Sequence, residues 1–180
     1  MLLLAVGSMM LFGFAYFHLL PVFARDVLHT DARGLGALSA SQGAGALTAA
    51  LLLAQFSGRM PRGRVLTGAA LLFPLFLIGF TLTRSLPLAM LLLALIGWSA
   101  VTSLALTNTL IQTLVPDELR GRVLSIYTML LLGLGPLGAM IVGGIAQLVG
   151  QVPLVVGSSA AIAWLIMLVA MVRVPALREL

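Results

Sequence analysis

The sequence predicts an all-α integral membrane protein built from six membrane-spanning helices. Three observations carry that reading. The chain is 61% hydrophobic and 8% charged, with a mean hydropathy of +1.18, far from the balance of a soluble domain. Its apolar residues fall into six windows of about twenty, the length that crosses about 30 Å of hydrocarbon as a helix. Every Arg, Asp and Glu falls between those windows or at their edges, as the cost of a charge at the bilayer centre, about 2.5–3.5 kcal/mol on insertion scales, requires.

In order, the windows are roughly 1–23, 35–56, 65–83, 86–113, 123–149 and 153–172, a single bundle over residues 1–180. The first is not a signal peptide, because it lacks a basic n-region and its apolar run is too long. The short connections hold Arg59, Arg62, Arg64, Arg120 and Arg122, and the tail holds Arg173 and Arg178; the opposite side holds Arg25, Arg33 and Arg84. Seven against three sets the orientation by the positive-inside rule, with both termini cytoplasmic. The net charge of +5 does not indicate a nucleic-acid partner, because the arginines form islands with no basic face and no aromatic stacking platform. The partner that composition dictates is the lipid bilayer. With no cysteine, a thiolate metal site, a disulfide framework and a Cys nucleophile are all excluded. No cofactor or metal is expected, including at Asp26, His29 and Asp31 in one external loop.

Charge is concentrated in LVPDELRGRVLSIY, residues 114–127. Pro116 suits a helix start, where a missing N–H costs nothing. Asp117 and Glu118 set negative charge against the positive end of a helix dipole. Arg120, Gly121 and Arg122 lead into the fifth span. Two readings follow, a helix anchor at the headgroups or a cytoplasmic gate element. The run RGRVL occurs both here and at Arg62, Gly63, Arg64, Val65 and Leu66. Because it precedes spans three and five, it reads as one job done twice and not as an inverted repeat.

Inside the spans, polar residues are few. On the fourth, Trp98, Thr102, Thr109, Gln112 and Thr113 share an arc of about 100° at helical spacing. Such a stripe either walls a pathway or holds hydroxyls bonded back to their own helix. Asn108 lies off the arc and is expected to bond a neighbouring helix. Gln42 would line the same cavity or join helices; His18, beside Tyr16 and Phe17, reads as an interfacial residue or a proton carrier. Small residues recur at spacing four on span two (Gly36, Ala40, Ala44, Thr48, with Ser41, Gly45 and Ala49 alongside) and on span five (Gly135, Ala139, Gly143). These stripes let helix backbones approach closely in lipid, within the bundle or against a partner. Pro136 loosens span five.

The pattern VPDELRGRVLS followed by GLGPLGAMIVGG resembles the loop 10–11 and helix 11 region of major facilitator superfamily transporters, closest to the bacterial drug and siderophore exporter branch, which includes enterobactin-exporter-like proteins. SGRMPRGRVL, residues 57–66, is similar to the family's loop 8–9 motif, departing from it at Ser57 or Gly58, where the acid would stand. The resemblance covers all six spans in order. It implies one half of a twelve-helix major facilitator fold, helices 7–12, working with an N-terminal six-helix half. It further implies alternating access around a midplane site, export of small amphipathic or chelating compounds, and the bacterial inner membrane. The abrupt opening MLLLAVGSMM fits a fragment. In the family, helices 8 and 11 pack between the halves, which assigns Gly36, Ala40, Ala44, Gly135, Ala139 and Gly143 to that contact. Spans three and six, the plainest, take the lipid-facing places of helices 9 and 12. Asp117, Glu118, Arg120 and Arg122 would then meet a cytoplasmic loop of the other half, as would Arg62 and Arg64.

Two other functional classes stand beside this one. An intramembrane serine protease needs a Ser on span four and a His on span six; Ser99 stands in GWSA, but span six has no His, and paired intramembrane Asp and HExxH are absent too. A half-size homodimeric transporter, or a non-transporting membrane subunit, is left open by the residues. No carboxylate lies inside any span, so the chain does not display a coupling acid.

Overall fold

A computed structural model of the protein describes residues 6–56 and 61–173. Ser57, Gly58 and Arg59, and Arg178 of the tail, lie outside the described residues. Six helices long and apolar enough to cross a membrane follow one another: α1 (Val6–Val27), α2 (Ala32–Phe56), α3 (Arg62–Leu82), α4 (Leu86–Leu114), α5 (Asp117–Val149) and α6 (Val152–Arg173). All six run past the apolar windows at an end facing a connection, because a helix continues into the headgroup region where charged side chains are tolerated. Thus Arg25 and Asp26 occupy the last turn of α1, and Arg62 and Arg64 lie in the first turn of α3.

Local chemistry sets these boundaries. The Asp31 carboxylate accepts the backbone N–H groups of Arg33 and Gly34, each at 3.0 Å, satisfying two orphan donors at the start of α2. Pro87 stands in the first turn of α4, where its missing N–H costs nothing. α5 ends at Gly150, whose φ of 72° is the left-handed cap that glycine adopts without penalty; its N–H bonds the Ala146 carbonyl at 2.9 Å. α1 is less regular. π-helical turns at Met9–Gly13 and Phe23–Val27 flank a segment containing Pro21, a residue that cannot donate to the helical ladder. Pro136, by contrast, sits within α5 without interrupting it.

α4 lies between α2 and α3, α3 packs against α6, and α6 against α1; α5 lies along α1 and α6 and touches α4. The core is aromatic where α1 meets α3. Phe14 and Phe73 stack at 5.6 Å, and Phe23 meets Phe80 at 4.9 Å. The Phe73 ring occupies the space a Cβ on Gly13 would need. Leu77, Leu93, Ile96 and Val156 are fully buried around these rings. Since lipid tails are as apolar as these side chains, close contact and interhelical hydrogen bonds hold the bundle, more than release of water does. Side chains supply such bonds: Tyr127 on α5 donates to the Leu104 carbonyl of α4 at 3.0 Å, and Ser159 on α6 donates to the Phe12 carbonyl of α1 at 3.1 Å.

Candidate pathway wall and partner-facing helices

The polar arc of α4 is divided by burial. Thr102 is 1% exposed and lies inside the six-helix unit. Trp98, half-buried, lines an apolar groove with Gly45 and Thr48 of α2 and Leu72 and Phe76 of α3. Towards the C-terminal end of α4 the arc opens: Thr109 is half-buried, and Gln112 and Thr113 are exposed. There Thr109 donates to the Ala105 carbonyl at 2.9 Å, and Thr113 to the carbonyls of Thr109 and Leu110 at 3.0 and 3.2 Å. These hydroxyls spend their protons on their own helix.

The amides behave differently. Gln112 Nε2 donates to Asn108 Oδ1 one turn earlier. Asn108 thus bonds within its own helix and not to a neighbour, contrary to the expectation from the arc. The signal was present in the i, i+4 spacing, which places the two side chains one above the other. Their pairing uses one donor and one acceptor, so both amides keep hydrogen-bonding capacity on this open surface.

The other pathway candidates are not brought to this point. His18 is exposed on α1, its ring edge-on to Phe17 at 5.9 Å. Val6 and Met10 of α1 share a cluster with Ile111, so His18 stands about 12 Å further along α1 than Gln112's level, at 1.5 Å per residue. Gln42 lies at the contact of α2 with α4. A Cβ on Gly97 would overlap its backbone carbonyl, and its side-chain Oε1 is buried with no hydrogen-bond partner among the described residues.

The charged knot forms the first turn of α5. Arg120 pairs with Asp117 at 2.5 Å, three residues apart, and the Pro116 carbonyl accepts the N–H groups of Leu119 and Arg120, each at 3.0 Å. Glu118, Gly121 and Arg122 are exposed. In the related turn at the start of α3, Gly63 is buried, Arg62 half-buried and Arg64 exposed.

The small-residue stripes separate into two kinds. On α2, Gly36, Ala40 and Ala44 are exposed, and Gly36 has nothing within 4 Å of where a Cβ would sit. Gly45 and Ala49, by contrast, are buried, and a Cβ on Gly45 would overlap the Ala94 carbonyl of α4. On α5, Gly135, Ala139 and Gly143 are half-buried, with Gly143 facing Leu19 of α1 at 3.9 Å. The tight contact on α5 belongs to Gly138, against the Leu11 carbonyl. Gly97 and Gly138 were not singled out by spacing; helix-on-helix contact reveals them. The open side of α5 carries Met129, Leu132, Met140 and Leu148, each 72% exposed or more. Only 17% of the most apolar stretch of α2 and of α5 is buried, against 50, 44 and 44% for α1, α3 and α4.

Comparison with known proteins bears on this arrangement. Residues 2–180 match the family described as transmembrane secretion effector, MFS_3. The chain is 32% identical over 171 residues to proteins named multidrug efflux pump Tap in Mycobacterium tuberculosis and Mycobacterium bovis. That similarity covers 90% of this chain and 38% of those relatives, so the chain spans well under half of their length. No solved structure matches significantly. The match over almost the whole chain, with six apolar helices and no strand among the described residues, shows that this multi-pass membrane protein belongs to the transmembrane secretion effector family of major facilitator transporters.

Proposed function

We propose that the chain forms one six-helix half of a secondary active exporter that moves small amphipathic or chelating compounds by alternating access. The placement is the bacterial inner membrane with both termini cytoplasmic, and the branch is that of drug and siderophore exporters, enterobactin-exporter-like members included. The family and the named efflux pumps support export. The observation that carries the reading as a half is the low burial of α2 and α5 relative to α1, α3 and α4. Their open faces take a second six-helix bundle. The amides of Asn108 and Gln112, with Thr109, contribute neutral hydrogen-bonding groups to the pathway between the bundles; Trp98 and His18 border it further along, and Gln42 stands behind it at the contact of α2 with α4. The first turns of α3 and α5 meet the other half at the cytoplasmic side.

Site-specific photo-crosslinking from position 44 in native membranes tests this reading. A link to another six-span bundle supports it. A link to a second copy of the same chain replaces it with a half-size homodimer, and a link to lipid alone overturns the partner face. Drug efflux from cells and uptake into inverted vesicles then establish transport and its direction.

A further inference from the structure

At the end of the bundle opposite the charged knot, α1, α3 and the α5–α6 turn enclose a cleft of about 520 Å³, within the size range of small-ligand sites, about 300–1,000 Å³. Its walls are of two kinds. Val22, Leu82 and Leu154 give it an apolar side, and Asp26, Arg84 and Gln151 a polar one. Leu82 and Leu154 are 75% and 58% exposed, so the apolar side is open at the ends of the membrane-spanning helices. Opposite charges and an amide thus face one space at the level where hydrocarbon gives way to water.

From this juxtaposition we infer that the cleft binds the headgroup of a zwitterionic aminophospholipid from the leaflet on that side. Arg84 and the Gln151 amide hold the phosphate, Asp26 accepts the N–H groups of the primary ammonium, and the first acyl carbons lie on Leu82 and Leu154. Arg84 has no acidic partner among the described residues, which leaves its guanidinium for a phosphate, the anion its fork matches. Asp26 is paired with its neighbour Arg25 at 2.6 Å, but both side chains are exposed. Such a surface pair contributes little and exchanges readily. A choline headgroup lacks the N–H donors that Asp26 would accept, and a glycerol headgroup lacks the cation, so the site distinguishes lipids by headgroup. The inference requires that the chain spans a membrane and is independent of any second half.

The experiment is native mass spectrometry of the protein in detergent with an equimolar mixture of phosphatidylethanolamine, phosphatidylcholine and phosphatidylglycerol of identical acyl chains. Phosphatidylethanolamine is expected to be retained preferentially. Asp26→Asn should erase its advantage over phosphatidylcholine, a change of up to about fivefold for one exposed charge pair. Arg84→Gln should lower retention of all three lipids, and Arg84→Lys should restore most of it; helicity of each variant by circular dichroism verifies the fold. Equal retention of the three lipids by the unaltered protein overturns the inference, and so does an unchanged preference in Asp26→Asn. Displacement of the lipid by soluble glycerophosphoethanolamine at matched concentration overturns the lipid assignment in favour of a free headgroup ligand.

Discussion

Gly45 on α2 faces the backbone carbonyl of Ala94 on α4 so closely that a Cβ on the glycine would overlap the oxygen. One turn away on α4, Gly97 meets the Gln42 carbonyl in the same manner. The two contacts seat α2 on α4, and backbone atoms on the facing helix cannot swing aside as a side-chain end would. Gly45→Val and Gly97→Val are therefore expected to destabilise the bundle by about 1–3 kcal/mol, the usual cost of overpacking. Thermal unfolding in detergent, followed by circular dichroism, measures it.

Gly36→Val provides the contrast. Space is open around Gly36, so the isolated bundle should keep its unfolding temperature. If the exposed side of α2 receives a second bundle, the same change should weaken association and export together. Equal export by Gly36→Val and the unaltered protein, at matched expression, would remove Gly36 from the contact.

The Gln112–Asn108 pair makes a coupled prediction. Gln112→Ala and Asn108→Ala should alter substrate range or efflux rate in similar ways, since each leaves the other amide reoriented. Thr109→Ala should have a smaller effect, because its hydroxyl is directed to the Ala105 carbonyl. Efflux measured over a panel of amphipathic drugs checks this, and an unchanged profile in all three refutes the pathway assignment.

At the knot, Asp117 and Arg120 bind one another on the surface, a contact worth no more than about 1 kcal/mol to the fold. Asp117→Asn and Arg120→Ala should thus insert and fold normally. As gate residues they should shift the balance of inward- and outward-open states, read by accessibility labelling of introduced cysteines in a chain that has none of its own. Labelling identical to the unaltered protein would leave these residues as a helix anchor.

Tyr127→Phe removes the bond from α5 to the Leu104 carbonyl. Interhelical bonds in membranes average about 0.6 kcal/mol, so a small fall in unfolding temperature is expected, with the α5–α4 contact loosened. Double-mutant analysis with Gly138→Ala, which presses on the neighbouring α1 contact, would show whether α5 moves as one body.

The sequence by itself determined the solvent, the number of spans and their approximate edges, because hydrocarbon excludes charge and a helix must be about twenty residues long to cross it. It also located the knot and the two helices richest in small residues, since both are local patterns. Tertiary structure decided which of those small residues are used. Gly45 and Gly97 join α2 to α4, whereas Gly36, Ala40 and Ala44 remain open, though spacing had set Gly45 beside the open stripe. Tertiary structure likewise buried Thr102, kept Gln112 at the surface and separated His18 from it. Periodicity defines the faces of a helix; which neighbour covers each face depends on how distant segments of the chain are placed.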